Sequence, residues 1–255
     1  MNFFHAIILG IVEGITEFLP ISSTGHLILT SKILNLSSTE FLKSFEIAIQ
    51  LASILSVVYL YWKTVLNSRK LIAKVIAAFI PTALVGALLY RQVKDLLDNN
   101  QTVLWSLFLG GIFLIGFEWW QKNRQPKVTH LDQITYKQAV AIGLFQSVGL
   151  IPGVSRAGAT ILGGLTLGLS RKTIVEFSFL LAIPTMAAAT GYDLIKTGSA
   201  FSIEQFEILA AGFVVAFIVA VFAIKFLLKY AEKSDFTAFG IYRIIVALLF
   251  WLFWV

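Results

Sequence analysis

The stretch EGITEFLPISSTGH, residues 13–26, interrupts an apolar segment with two carboxylates, a proline and a run of hydroxyls. A second stretch, PGVSRAGAT at residues 152–160, breaks another apolar segment with proline, glycine, serine and arginine. Ionisable side chains in a hydrocarbon layer cost several kcal/mol each, so they persist mainly where they have a function. Together the two stretches hold the carboxylates, imidazole, guanidinium and hydroxyls that are typical of a phosphate-handling site.

The composition around these stretches is that of an integral membrane protein. Of the 255 residues, 58% are hydrophobic and 13% are charged, whereas soluble domains have about 25% charged residues. Apolar runs of about 20 residues, the length that crosses a bilayer, recur along the chain. We therefore expect a single polytopic membrane domain over residues 1–255. The net charge of +6 is typical of basic cytoplasmic loops, and we expect no nucleic-acid partner.

The apolar pattern predicts an all-α fold with six transmembrane helices and two re-entrant helix–loop–helix pairs. A piece of about 11 residues covers only about 16 Å, half of a bilayer. Each re-entrant pair is joined by a break rich in Pro, Gly and Ser, and such backbone is tolerated at membrane depth only inside protein or beside water. The predicted spans are 41–62, 71–90, 102–120, 172–193, 204–229 and 237–254, and the short pieces are 3–18, 24–34, 136–149 and 156–169.

The basic residues predict which side of the membrane each segment faces. Of the 20 Lys and Arg residues, 14, Arg243 among them, would lie on the cytoplasmic side and Arg156 alone within the membrane. The remaining five would lie outside: Lys32, Lys43, Arg91, Lys94 and Lys196. Because cytoplasmic loops carry the excess of Lys and Arg, we expect both termini outside and the two re-entrant pairs entering from opposite faces.

The two halves of the chain are similar at an offset of 133 residues. Inverted repeats whose broken helices meet near the membrane midplane are a recurring plan of membrane proteins. We therefore predict inverted-topology repeats over approximately 1–121 and 135–255. The matched pairs are Gly10 and Gly143, Glu13 and Gln146, Ser22 and Ser155, and Gly25 and Gly158.

The first stretch carries groups suited to metal binding and to proton transfer. Glu13 and Glu17 are four residues apart, so a helix places them on one face. Two such carboxylates can hold a divalent cation, or one can act as a base while the other stays ionised. His26, one turn into the second half-helix, can act as general base, general acid or phosphate donor.

The helix starts in both stretches are suited to binding an anion. Ser22, Ser23 and Thr24 supply an N-cap after Pro20, and the free N–H groups of such a helix end attract phosphate. In the second stretch Ser155 can cap the helix. Arg156 offers a two-pronged donor for phosphate oxygens. Alternatively Arg156 forms a buried ion pair with a carboxylate of the first stretch, and the two roles are compatible.

The motifs at 13–26 and 152–156, with Phe45-Glu46 and Gln50, resemble those of the bacterial undecaprenyl-pyrophosphate phosphatase family, which is associated with bacitracin resistance. The resemblance covers nearly the whole chain and departs at Ala157, where the family usually has serine. It implies hydrolysis of a C55 polyprenyl pyrophosphate to the lipid monophosphate and phosphate, which recycles the lipid carrier for cell-wall synthesis. It also implies a divalent cation, Mg²⁺ or Ca²⁺, as cofactor.

The resemblance further implies a multi-pass protein of the bacterial cytoplasmic membrane whose active site opens outward. The catalytic residues that it implies are Glu13, Glu17, Ser23, His26 and Arg156, with the metal at the two glutamates. The phosphate-binding residues that it implies are Ser22, Thr24, Ser155, Arg156 and Thr160.

Several alternatives remain open on the sequence. Either Ser23 attacks phosphorus with His26 as base, or water attacks with His26 or a glutamate as base. A lipid-phosphate flippase or transporter is the main competing function, because inverted broken helices are also a transporter design. Acid phosphatases with a Ser-Gly-His motif are excluded, since the positions where they need histidine and aspartate hold Leu162 and Thr166. Membrane lipids and a second copy of the chain are candidate partners.

Overall fold

The computed structural model describes residues 1–97, 99–197 and 202–254, apart from the side chains of residues 94, 95, 97, 192–197 and 254. The side chains of Lys94 and Lys196, two of the predicted outer-side residues, lie outside this description. The described chain is helical, as predicted, with an isolated bridge between Val128 and Leu169. The helices are α1 Phe3–Thr16, α2 Ser23–Ile33, α3 Glu40–Asn67, α4 Arg69–Leu88, α5 Tyr90–Leu97, α6 Asn100–Gln121, α7 Tyr136–Val148, α8 Arg156–Thr166, α9 Arg171–Thr197, α10 Ile203–Lys233 and α11 Thr237–Trp254, with a 3₁₀ turn at Leu131–Gln133.

Among the described helices, five are long and apolar enough to cross a membrane, which makes the chain a multi-pass membrane protein. They are α3, α4, α6, α9 over Arg171–Gly191, and α10. The sixth predicted span, 237–254, is helical, but its apolar part, Thr237–Phe253, is shorter than these five. Large apolar side chains such as Leu88 and Phe222 are exposed on the helix surfaces, as they would be toward lipid.

Both predicted breaks are present, at residues 17–22 between α1 and α2 and at 149–155 between α7 and α8. Ser22 and Ser155, which precede α2 and α8, adopt φ of 72° and 81°, in the left-handed region that non-glycine residues rarely occupy. Each hydroxyl accepts a hydrogen bond from the backbone N–H three residues on, at 3.3 Å and 3.0 Å. The two breaks therefore end in the same way, with a serine of positive φ that caps the following helix.

Helix α5 has no counterpart among the predicted segments. The predicted span 71–90 ends in the structure at Leu88, and Leu89 connects α4 to the new helix. Arg91 and the residues around it are too polar to extend an apolar run. The sequence pattern that locates membrane helices therefore does not detect a short polar helix of this kind.

The helices of the two halves exchange partners reciprocally. Helix α1 packs against α10, and its counterpart in the second half, α7, packs against α4; α3 contacts α9, and α6 contacts α11. Both first helices use glycine at the contact. A Cβ at Gly10 would lie 2.7 Å from the carbonyl oxygen of Gly212, and a Cβ at Gly143 would overlap the backbone of Ala78. Small residues thus let the backbones approach closely at matched positions in both halves.

Replacement of Gly143 by alanine should lower the free energy of unfolding by about 2 kcal/mol, or roughly 5 °C in Tm, because the added Cβ pushes α7 away from α4. The matched control is Gly116→Ala in α6, where a Cβ would meet no atom within 4 Å. Alanine favours a helix over glycine, so this control should keep or slightly raise Tm. Thermal unfolding in detergent measures both variants. Equal Tm values would contradict the close approach of α7 and α4.

Candidate functional site

Glu17, Ser23 and Arg156 form one hydrogen-bonded cluster between the two breaks. Arg156, the first residue of α8, donates from Nη2 to Glu17 Oε1 at 2.7 Å. Ser23, the first residue of α2, donates from Oγ to Glu17 Oε2 at 2.5 Å. The Glu17 carboxylate thus joins the N-termini of both half-helices. The ion pair between the halves that the sequence offered as an alternative role for Arg156 is present.

Arg156 keeps part of its donor capacity free. Its Nη1 donates to the Ser178 carbonyl at 3.0 Å, and its Nη2 also lies 3.7 Å from Met186 Sδ. Its Nε is buried without a hydrogen-bond partner, and so is the hydroxyl of Ser178. Buried donors in proteins are normally hydrogen-bonded. A bound phosphate oxygen would supply the acceptor that the guanidinium lacks.

Glu13 is a fully buried carboxylate with no hydrogen-bond partner on either oxygen. It lies in α1 one turn before Glu17, and the Ser53 hydroxyl of α3, next to it, is also unpaired. An uncompensated charge in such a place is costly, so these oxygens need a cation or a proton. Among the described residues no group of three or more acidic, His or Cys side chains forms a metal cluster. A divalent cation here would therefore rely on the two glutamates and on hydroxyl, water or phosphate oxygens.

His26 is held by two hydrogen bonds that do not involve Ser23. Its Nδ1 lies 2.8 Å from the Ser22 carbonyl oxygen, and its Nε2 lies 2.9 Å from the hydroxyl of Tyr242 in α11. The Ser23 hydroxyl is bonded to Glu17 instead. Sequence reasoning missed Tyr242, which is 216 residues away along the chain.

The other predicted phosphate-binding residues lie at the same helix ends. Ser22 and Ser155 cap α2 and α8, and Ser155 Oγ also lies 3.5 Å from a carbonyl of the first break. Thr24 lies in the first turn of α2 with a partly exposed side chain. Thr160 is fully buried and donates to the Arg156 carbonyl at 2.8 Å, one turn further into α8. Its hydroxyl therefore stabilises the first turn of α8. It lies further from the start of that helix than the capping serine does.

Gln146, the repeat counterpart of Glu13, has its amide fully hydrogen-bonded. Its Nε2 donates to Thr82 Oγ1 at 2.9 Å and to Thr185 Oγ1 at 3.1 Å, and its Oε1 accepts from Thr160 at 3.4 Å. The second half thus has a neutral, fully hydrogen-bonded Gln146 at the position where the first half has the unpaired carboxylate of Glu13. The two halves are chemically unequal at the positions that the repeat relates.

Arg243 lies in the interior, and its assignment to the cytoplasmic side is wrong. It is 2% exposed, and its five N–H groups donate to five backbone carbonyls at 2.8–3.2 Å. An arginine inside the apolar run 237–254 is the same signal that singles out residues 13–26, and it could have identified this residue. The acceptors come from both breaks and from α6: Pro20, Gly153, Val154, Ser106 and Leu107.

The cluster is nearly closed to solvent. Glu17 is 7% exposed, and Ser23 and His26 are each 8% exposed, whereas Tyr242 is 42% exposed. A groove of about 730 Å³ lies elsewhere, along residues 121–127 and 165–172, and contains none of the predicted site residues. A substrate must therefore reach the cluster by displacing groups at its edge.

Comparison with known proteins identifies close relatives over the full length. The family model described as "Bacitracin resistance protein BacA" matches residues 6–249. The chain is 52% identical over 250 residues to a protein from Wolinella succinogenes named "Undecaprenyl-diphosphatase", covering 98% of this chain and 97% of the relative. It is 49% identical over 251 residues to a protein of the same name from Aquifex aeolicus, covering 98% of each. A third, from Campylobacter jejuni, is 47% identical over 251 residues, covering 98% of this chain and 94% of the relative.

Replacement of Arg243 by methionine should destabilise the folded protein by more than about 4 kcal/mol, because five buried carbonyls lose charged donors. Arg91→Met, on the exposed surface of α5, is the matched control and should leave stability unchanged. Thermal unfolding and size-exclusion profiles in detergent measure both. A loss below about 1 kcal/mol in the Arg243 variant would show that the carbonyls find other donors.

Proposed function

The chain belongs to the bacitracin resistance protein BacA family, and on this premise we propose how its buried cluster removes a phosphate from undecaprenyl pyrophosphate. The enzyme hydrolyses this lipid to undecaprenyl phosphate and inorganic phosphate, and its relatives carry the name "Undecaprenyl-diphosphatase". The observation that carries the mechanism is the geometry at Glu17, whose two oxygens bind the Ser23 hydroxyl and the Arg156 guanidinium.

Ser23 is the nucleophile, and Glu17 is its base. The Ser23 oxygen attacks the terminal phosphorus while its proton moves to Glu17 Oε2, to which it is already hydrogen-bonded. The bond between that phosphorus and the bridging oxygen breaks, and undecaprenyl phosphate leaves with the bonding electrons. Water then hydrolyses the phosphoserine. Covalent catalysis of this kind divides one difficult displacement into two easier ones.

Arg156 and the two half-helix N-termini bind the terminal phosphate. The free Nε of Arg156 and the N–H groups at the starts of α2 and α8 offer donors to its oxygens, which carry the charge of the transition state. When phosphate draws the guanidinium away, Oε1 of Glu17 is released from Arg156 and is free for the divalent cation, while Oε2 stays in place to accept the Ser23 proton. Substrate binding and cation binding are thereby coupled through one carboxylate.

Glu13 and Glu17 would hold a divalent cation, which fits the unpaired oxygens of Glu13. Bound there, Mg²⁺ or Ca²⁺ would neutralise charge on the pyrophosphate. Of the two glutamates, Glu13 has both carboxylate oxygens available for the cation, since neither makes a hydrogen bond. Gln146, at the matching position of the second half, does not need a cation, because three threonines already hydrogen-bond its neutral amide.

The enzyme has six spans and two re-entrant pairs, arranged as inverted repeats of one membrane domain in the bacterial inner membrane. The reciprocal packing of α1 with α10 and α7 with α4 supports this arrangement, as do the matched caps at Ser22 and Ser155. The excess of basic residues on one side, which remains after Arg243 is removed from it, supports an orientation with both termini outside. That the site opens outward is what the family resemblance implies.

Replacement of Ser23 by alanine should lower kcat by about 10³-fold or more, because the attacking oxygen is lost. It should also abolish a phosphoserine that acid quenching traps in the wild-type enzyme. Ser37→Ala, an exposed loop position, is the control and should retain full activity. Release of phosphate from purified lipid substrate measures the rate. Full turnover by the Ser23 variant would favour attack by water, and lipid translocation without phosphate release would favour a transporter.

Replacement of Glu13 by glutamine should abolish the stabilisation of the folded protein by divalent cations. In the wild-type protein Mg²⁺ or Ca²⁺ should raise Tm, because a ligand bound only to the folded state stabilises it. In the variant the same cations should leave Tm unchanged, while Tm without cation should be equal or higher, since a buried unpaired carboxylate is removed. Ser37→Ala again serves as control. A cation-dependent rise in Tm that persists in the Glu13 variant would exclude this carboxylate as a ligand.

A further inference from the structure

The hydrogen bonds of His26 define which of its nitrogens carries the proton. The Ser22 carbonyl can only accept a hydrogen bond, so Nδ1, 2.8 Å away, must be the N–H donor. In the neutral imidazole the other nitrogen, Nε2, is then the acceptor. The Tyr242 hydroxyl, 2.9 Å from Nε2, donates to it. His26 is therefore held with its lone pair at Nε2 and that lone pair is directed to Tyr242.

The tyrosine also fixes the plane of the imidazole. The two rings lie 5.5 Å apart between centroids with an interplanar angle of 7°. Tyr242 itself is held by its neighbour along α11, because Arg243 donates to carbonyls of both breaks and of α6. The backbone position of Tyr242 is thus set by the same contacts that set the two breaks, and His26 is oriented relative to Ser23 accordingly.

This arrangement divides the two proton transfers of the reaction between two bases. The Ser23 proton already has its acceptor in Glu17, at 2.5 Å, and His26 makes no hydrogen bond to Ser23. The acceptor nitrogen of His26 lies instead beside Tyr242, whose side chain is 42% exposed whereas that of His26 is 8% exposed. His26 is therefore placed to act on a molecule that enters beside Tyr242, and not on Ser23.

We propose that Tyr242 is a positioning residue that holds His26 as the base for hydrolysis of the phosphoserine. The inference rests on the proposed function. A water molecule enters between Nε2 and the Tyr242 hydroxyl, which donates a hydrogen bond to the water oxygen and so keeps it at Nε2. The water oxygen forms a bond to phosphorus, and one of its protons goes to Nε2. The bond between phosphorus and the Ser23 oxygen breaks, and Ser23 recovers its proton from Glu17. The imidazolium then returns its proton to the surrounding water.

A double-mutant cycle tests whether Tyr242 acts through His26. Tyr242→Phe should lower kcat about 30-fold, since a misdirected base loses part of its 10²–10⁴-fold contribution, while KM should stay within about twofold because phosphate binding is unchanged. In the His26→Gln background the same substitution should change kcat by less than about twofold. Tyr59→Phe, whose hydroxyl lies on a side chain 63% exposed on α3, is the control and should behave as wild type in both backgrounds.

The trapped phosphoserine separates the two catalytic steps. Because only the second step is slowed, Tyr242→Phe should accumulate more phosphoserine than the wild-type enzyme at steady state. A loss of kcat that is equal in both His26 backgrounds, or an unchanged kcat, would overturn the proposal. So would a fall in phosphoserine, since that would place the effect of Tyr242 in the first step.

A spectroscopic measurement tests the positioning without turnover. The chain has three histidines, so ¹⁵N-histidine labelling with His5→Gln and His130→Gln variants identifies the His26 resonances. In the wild-type protein Nδ1 should carry the proton, and in Tyr242→Phe the Nε2 signal should move downfield as its donor is lost. If the Nε2 signal moves in this way but no variant forms phosphoserine, Tyr242 still positions His26, and Ser23 is rejected as the nucleophile. A proton on Nε2, or an unchanged signal, would overturn the inference.

Discussion

The guanidinium of Arg243 is the constraint on which the two broken segments depend. Its five N–H groups meet five backbone carbonyls from both breaks and from α6. Irregular backbone at membrane depth needs hydrogen-bond donors that neither lipid nor a regular helix can supply. The carbonyl dipoles in turn stabilise a cation that is 2% exposed. One side chain therefore satisfies the backbone of both halves and is itself satisfied by them, which leaves it no donor for substrate.

The two halves meet at the site with different chemistry although they share a backbone plan. Ser22 and Ser155 adopt the same unusual φ and make the same cap, so both halves present a helix N-terminus to the same region. The first half adds two carboxylates and an imidazole, and the second adds Arg156 and a neutral Gln146. Negative charge from one half is thus balanced by positive charge from the other. Neither half alone could hold the cluster at Glu17.

The predicted helices are close to those of the structure because apolar run length and Pro/Gly breaks act locally. The runs at 41–62 and 102–120 became Glu40–Asn67 and Asn100–Gln121, extended by polar ends that lie beyond the apolar pattern. Helix α5 is not predicted from the sequence because its residues are too polar to form an apolar run. The residues predicted for the site rest on the same kind of local signal, since ionisable groups within apolar runs stand out along the chain.

The partners of those residues could not be predicted in the same way. Arg243 was assigned to a membrane flank because a count of basic residues uses distance along the chain and ignores packing. Tyr242 was missed because a tyrosine in an apolar helix is unremarkable until α11 is placed beside α2. The hydrogen bond of Ser23 to Glu17, and not to His26, depends on side-chain directions that spacing alone does not define.

The sequence by itself determined the helical membrane class, the two breaks and the inventory of the site, because each follows from polarity along short stretches of chain. Residues 13–26 are thereby predicted to be the centre of the chemistry. Only the tertiary structure decided which group bonds to which: that Arg156 reaches Glu17, that Arg243 joins the breaks and that Tyr242 holds His26. The physical reason is that these contacts join segments far apart in sequence, and their geometry exists only once the helices have packed.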